Sequence, residues 1–233
     1  MSKGYARGSV DKTLFIRKHE RHVILVQVYV DDIIFGSNND SMCNEFVAAM
    51  QGEFKMSMMG EITYFLGLQV KQLKQGTFIS QSKYYFNLLK KFELENCKEV
   101  VTPTTTNYLM DLDEVGQQVD STKHKGLTGS LLDLITSRPT IQFSVCLYAR
   151  FQSNLKESHY KDAKGILKYL KGTINVGLWY PSNSKITLSG FSNFDYASCK
   201  LDRKIISGTC HLLGSSLISW NRKKASLYGT LHS

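Results

Sequence analysis

The chain has 233 residues, 42% of them hydrophobic, and carries a formal net charge of +9. That is enough apolar material for one large core or two small ones. No run of about 18 apolar residues is present and the N-terminus lacks an apolar leader, so the sequence reads as a soluble intracellular protein, cytoplasmic or nuclear, without a membrane partner.

The five cysteines and six histidines show no paired or metal-ligand spacing, which argues against a disulfide frame or a zinc site and for buried reduced thiols. Charge is unevenly spread. Residues 1–22 carry six Lys/Arg against two acids, residues 150–172 six against two, and residues 200–224 six against one. These windows contribute +4, +4 and +5 and leave −4 for the remainder of the +9 total. Basic flanks around an acidic centre fit a protein that grips a phosphate backbone and positions cations between its grips. Ordinary solvated lysine faces would give the same counts.

In chain order, residues 1–22 form a loop and a strand around Leu14-Phe15-Ile16. There follows the most informative stretch, Val26-Gln27-Val28-Tyr29-Val30-Asp31-Asp32-Ile33-Ile34-Phe35-Gly36. Val, Ile and Tyr favour strands, so Val23–Val30 and Ile33–Phe35 are predicted to pair as a hairpin with both acids at its tip. Asp-Asp is a poor two-residue hairpin turn, where Asn-Gly or Asp-Gly supplies positive φ cheaply. A hard cation such as Mg2+ would favour the pair, since it wants oxygen ligands and cancels the repulsion between neighbouring carboxylates. A solvated turn is the plainer explanation of the same residues.

Asn38, Asn39 and Asp40 are N-cap candidates, and Met42, Phe46 and Met50 recur at helical spacing, predicting a helix of about fifteen residues. Thr63–Leu73 reads as one strand, with Gln75-Gly76 turning into Thr77-Phe78-Ile79, which would complete a βαβ unit. Tyr84, Leu88 and Phe92, with Tyr85 and Leu89, make a helical stripe. Residues 100–125 lack periodicity and read as a linker. Beyond them Leu127–Thr136 and Ile141–Phe151 are predicted helices separated by Arg138-Pro139, with Thr140 as a possible cap. A third helix, Ser158–Lys171, places Lys161, Lys164, Lys168 and Lys171 in one cationic stripe, a candidate for binding nucleic-acid phosphates or else an ordinary solvated face. Strand character returns at Val176–Tyr180, Ile186–Phe191, Gly208–Leu213 and Leu217–Trp220, read as the start of a mixed sheet.

Tyr29-Val30-Asp31-Asp32 between apolar strands resembles the polymerase signature of reverse transcriptases. The segments after it resemble the copia-type LTR retrotransposon Pol polyprotein in serial order. They are Phe54–Glu61, Tyr64–Val70, Ile79-Ser80-Gln81-Ser82-Lys83-Tyr84, Gly129-Ser130-Leu131-Leu132, Ser137-Arg138-Pro139, Tyr169-Leu170-Lys171-Gly172-Thr173, Ser207-Gly208-Thr209 and Ile218-Ser219-Trp220. The resemblance implies an α+β chain: a partial palm and first thumb helix over 1–99, a loop over 100–125, a helical thumb or connection over 126–175, and an incomplete ribonuclease H-like β segment over 176–233.

It further implies an RNA-directed DNA polymerase that joins nucleotides with two Mg2+ ions, with an RNA template and an RNA–DNA hybrid as partners, and deoxynucleoside triphosphates only where missing fingers and palm complete the site. Asp31 and Asp32 match the catalytic metal ligands. Tyr29 and Val30 match positions lining the site near the primer end, and Phe65, Leu66 and Gly67 fall where the palm approaches the primer strand. The family adds a third aspartate from an upstream strand. Only Asp11 and Glu20 precede the hairpin, neither in a matching segment, so the site is expected to be incomplete and the chain inactive alone.

Ser192-Asn193-Phe194-Asp195 stands where the resemblance implies a Ser-Asp-Ala-Asp-like opening of the ribonuclease H site, so Asn193 and Asp195 mark a degenerate site and nuclease activity is expected to be absent. The segment after Ser219-Trp220 also lacks the glutamate the family carries there, and residues 225–233 contain no acid. Gly165 and Asp133 replace a basic and an aromatic residue of the family, and burying Asp133 unpaired would be costly. These departures suggest a decaying element copy. Two alternatives stay open: a non-catalytic nucleic-acid-binding protein, and a remnant without function.

Overall fold

The computed structural model describes residues 4–104, 116–118, 120–149, 156–195 and 206–224. They form an α+β protein whose chain parts into two compact units, Met1–Ile62 and Thr63–Ser233.

The first unit is one antiparallel sheet in the order β1-β2-β3-β4, from Ala6–Arg7, Leu14–His19, His22–Tyr29 and Asp32–Ser37, followed by helix α1, Asp40–Glu53. Alternation decides which face is buried. Ile24 and Val26 of β3 turn inward with Phe15, Val28, Ile33 and Phe35, and meet Met42, Phe46 and Met50 of α1. The rings of Phe35 and Phe46 lie 5.0 Å apart and tilted by 58°, an arrangement that favours their quadrupoles. Helix α1 starts because the Asn39 side chain accepts from the Ser41 N–H at 2.8 Å, which satisfies a donor that the first turn would otherwise leave open.

The second unit opens with β5, Tyr64–Phe65, and β6, Leu68–Leu73. Thr63–Leu73 is therefore a tight hairpin rather than the single strand expected. Leu66 and Gly67 both take positive φ, +49° and +80°, which is the backbone of a twist-compatible two-residue turn. These strands pair with β7, Gly76–Ser80, and β8, Leu178–Pro181, in the order β5-β6-β7-β8. The strands after α1 thus pair with one another and with β8, so the expected βαβ unit does not form.

Helices α2, Ser82–Lys91, α3, Ser121–Leu134, α4, Gln142–Tyr148, and α5, Glu157–Lys171, build the main core. Tyr85, Leu88 and Leu89 of α2 pack there with Leu127, Leu131, Val145, Tyr148, Ile166 and Leu170, so α2 shares one hydrophobic interior with α3–α5, and α3 begins at Ser121, inside the stretch 100–125 expected to be a linker. Thr140 lies in a short 3-10 turn, Pro139–Ile141, and the cap position of α4 is Ile141, without a side-chain capping bond. Three more strands, β9 (Leu188–Asp195), β10 (Ile206–Leu213) and β11 (Ser216–Lys224), form a sheet that is antiparallel throughout, not mixed. Tyr180 of β8 donates its hydroxyl to the Leu217 carbonyl of β11 at 3.0 Å. Among the described residues no helix is long and apolar enough to cross a membrane.

Candidate metal-binding hairpin

Strands β3 and β4 form the predicted hairpin, but in a register that moves its tip. Tyr29 pairs with Asp32, Val28 with Ile33 and Val26 with Phe35, so the two turn residues are Val30 and Asp31, while Asp32 is the first residue of β4. Side chains at and just beyond the end of β4 fix this register. The Val23 N–H donates to Asn38 Oδ1 at 2.9 Å, Asn38 Nδ2 donates to the Arg21 carbonyl at 3.1 Å, and the Ser37 hydroxyl donates to the Val23 carbonyl at 2.8 Å. The same pairing places Val26 opposite Phe35 above Phe46. Val30 absorbs the turn's curvature at φ +48°, a conformation that a β-branched residue adopts only under constraint.

Asp31 and Asp32 are both exposed, and among the described residues neither carboxylate has a hydrogen-bond or ion-pair partner. Tyr29 stands beside them on the sheet face opposite α1. Asp11, which precedes β2, bonds to the same sheet: Gln27 of β3 donates to Asp11 Oδ2 at 3.2 Å, while the Thr13 N–H and hydroxyl donate to Oδ1 at 2.8 and 2.6 Å. The Thr13 bonds first, with Gln27 adding to them, hold the Asp11 carboxyl below its ordinary value. The Asp-x-Thr spacing, a local turn signature, was the sequence signal for that bond network.

Adjacent carboxylates offer the hard oxygens that Mg2+ prefers. Among the described residues, however, no group of three His, Cys, Asp or Glu side chains is placed to hold an ion. The donors match the ion in kind and fall short in number.

The remaining site residues lie in the second unit. Phe65 ends β5, and Leu66 and Gly67 form the tight turn already described. In α5 the four lysines divide by surroundings. Lys161 is exposed. Lys164 Nζ lies 5.1 Å from the centre of the Tyr160 ring, and Lys168 is half-buried. Lys171 instead donates to the carbonyls of Glu95 and Cys97 at 2.7 and 2.8 Å, binding the helix end to the chain after α2. Asn193 is exposed on β9 opposite Gly208. The side chain of Asp195, and residues 225–233, lie outside the described residues.

Asp133 is not buried: Leu131 and Leu134 face the core while Asp133 faces solvent and accepts the Tyr84 hydroxyl at 3.0 Å. Gly165 sits mid-helix where an added Cβ would meet no atom within 4 Å. Ser137-Arg138-Pro139, given no role from the sequence, proves to join three segments. Arg138 is 6% exposed and donates through Nη1 to the carbonyls of Thr173 and Val176, both at 2.6 Å.

Comparison with known proteins gives these features a lineage. The family model described as reverse transcriptase (RNA-dependent DNA polymerase) matches residues 1–106. The chain is 30% identical over 221 residues to the retrovirus-related Pol polyprotein from transposon RE1 of Arabidopsis thaliana, covering 95% of this chain and 15% of that protein. An uncharacterized mitochondrial protein of the same plant is 30% identical over 197 residues, covering 84% of this chain and 82% of that one. The Pol polyprotein from transposon TNT 1-94 of Nicotiana tabacum is 25% identical over 233 residues, covering 95% of this chain and 17% of the relative. No solved structure matches the chain. These matches show that the chain belongs to the copia-type retrotransposon Pol family, with residues 1–106 matching its reverse transcriptase domain.

Proposed function

We propose that this chain is the part of an RNA-directed DNA polymerase that contributes two of the carboxylates for metal-dependent nucleotidyl transfer, Asp31 and Asp32. The observation that carries the reading is their placement: exposed, adjacent and, among the described residues, without partners, Asp31 in and Asp32 directly after a hairpin turn whose first residue, Val30, is held at φ +48°. An unsatisfied pair of like charges on a constrained turn is a poor structural device and a suitable half of a cation site.

In this reading the first unit and the β5–β7 hairpins belong to the palm, α2 opens the thumb, and α3–α5 continue it. The segment 176–233 is the beginning of a ribonuclease H-like domain, whose degenerate site at Asn193 and Asp195 leaves it without nuclease activity. Mg2+ bound by the aspartates would supply Lewis-acid stabilisation of the transferring phosphoryl group. Two carboxylates do not make a two-ion site, so no catalytic step is assigned to the chain by itself. Tyr29 and Val30 would border the primer end, and Phe65, Leu66 and Gly67 would approach the primer strand. Lys161, Lys164 and Lys168 would meet phosphates of the template–primer duplex, while Lys171 is occupied with backbone carbonyls.

Primer extension on an RNA template with magnesium tests the proposal. The 233-residue chain is expected to give no product, and the same chain fused behind the preceding part of a relative's reverse transcriptase is expected to extend the primer. Asp31→Asn should abolish that extension with retained binding of the hybrid. Synthesis by the fusion that survives Asp31→Asn together with Asp32→Asn would refute the assignment.

A further inference from the structure

Three segments far apart in the chain converge on one buried polar junction in the second unit. Gln81, at the cap position of α2, donates its amide to the Asp133 carbonyl at 3.2 Å and accepts from the Ser137 hydroxyl at 2.6 Å. Ser82 donates its hydroxyl to the Ile174 carbonyl at 3.0 Å. Arg138 spends Nη1 on the Thr173 and Val176 carbonyls and Nη2 on the Thr173 hydroxyl.

Every partner of this guanidinium is neutral. Among the described residues no carboxylate pairs with it, and its Nε, buried, has no hydrogen-bond partner. A buried cation left without a counter-charge is among the least favourable arrangements a core can hold. Burial drives its pKa down from the ordinary arginine value.

A small pocket lies at this point, lined by Gln81, Ser82, Tyr85 and Arg138 on its polar side and by Leu134, Leu170, Ile174 and Val176 on the other. Gln81 makes no side-chain capping bond to α2 because its amide is engaged with the α3–α4 connection. The first turn of α2 is capped from elsewhere, the Lys83 N–H donating to Gln69 Oε1 at 2.7 Å, so the feature of the pocket that favours a negative guest is the guanidinium with its unpartnered Nε. The free space is about 10 Å³, room for one water-sized species. So narrow a space suits a compact ion better than phosphate or sulfate.

We propose that this pocket binds a single monatomic anion, chloride, which supplies the counter-charge that no described residue gives Arg138 and ties α2 to the α3–α4 and α5–β8 connections. The pocket is built only from residues of the second unit and the aspartate hairpin only from residues of the first, so the proposal holds or fails independently of the polymerase reading.

Thermal unfolding of the full chain, followed by tryptophan fluorescence, is compared in sodium chloride and sodium gluconate at equal ionic strength. Chloride is expected to raise the midpoint saturably, by about 3 °C at full occupancy. Bromide should act likewise, sulfate should not, and the chloride NMR line should broaden with the folded protein. Ser82→Asp places a fixed carboxylate at the pocket and should abolish both the chloride dependence and the broadening. If that variant does not unfold cooperatively, Ile174→Phe, which fills the pocket, serves the same comparison. Coincident midpoints in chloride and gluconate, absent line broadening with the wild type, or a chloride response unchanged in the variant that folds would each overturn the proposal.

Discussion

At the scale of single residues, Val30 combines two unfavourable features. It is 82% exposed, and its φ of +48° belongs to the left-handed region. A β-branched side chain in that conformation costs roughly 1–2 kcal/mol, and exposure leaves little packing to offset it. Val30→Gly is therefore expected to stabilise the first unit by about 1 kcal/mol, net of glycine's greater freedom in the unfolded chain. Urea titration followed by circular dichroism measures it, and an unchanged or lowered midpoint would mean that Val30 packs usefully. The paired acids and their β-forming flanks were legible in the sequence because strand propensity and charge act locally. The tip position was not, because it depends on Ser37 and Asn38 reaching across to Val23 and Arg21. Asp133 teaches the same lesson: its neighbours in sequence are apolar, but its position on the α3 circumference decides its environment.

At the scale of elements, α5 shows what periodicity can and cannot reveal. Its apolar stripe was visible at helical spacing, and Ala163, Ile166, Leu167 and Leu170 are indeed buried. Lys171 was visible as a cation, yet its destination, the carbonyls of Glu95 and Cys97, lies 76 and 74 residues earlier and leaves no trace in local pattern. Gly165 interrupts the same helix where added volume would meet nothing. Gly165→Ala should raise stability by about 1 kcal/mol, read as an increase in the thermal midpoint of the second unit. A decrease would show that the position serves something other than helix formation. The β5–β6 hairpin escaped the strand reading because Leu66, an unusual residue at positive φ, hides a turn that Asn in its place would have announced.

On the scale of the whole molecule, each unit carries its own core. Ile24, Val26, Met42 and Phe46 centre the first, and a far larger cluster, running from Tyr85 to Leu170, centres the second. Both tryptophans, Trp179 and Trp220, belong to the second unit. Guanidinium unfolding is thus expected to be non-coincident by two probes: far-ultraviolet circular dichroism should lose signal first as the smaller core melts, and tryptophan fluorescence should change later. Superimposable curves would show that the two units unfold as one. The α+β composition followed from the alternation of strand and helix patterns. The grouping of strands into sheets did not, because β8 reaches β7 from almost a hundred residues downstream, and pattern analysis carries no information about such distant pairing.

That distant pairing rests on two glycines. An added Cβ at Gly76 would come within 2.3 Å of the Tyr180 carbonyl oxygen, and one at Gly177 within 2.3 Å of the Ile79 carbonyl oxygen, so the backbones of β7 and β8 approach at both ends where side chains are absent. During synthesis on a ribosome, β7 leaves the exit tunnel long before β8 is made, and its outer row of amide and carbonyl groups waits unsatisfied through the translation of every helix in the core. The nascent chain is most open to wrong strand partners in that interval, and it closes only once Pro181 has emerged.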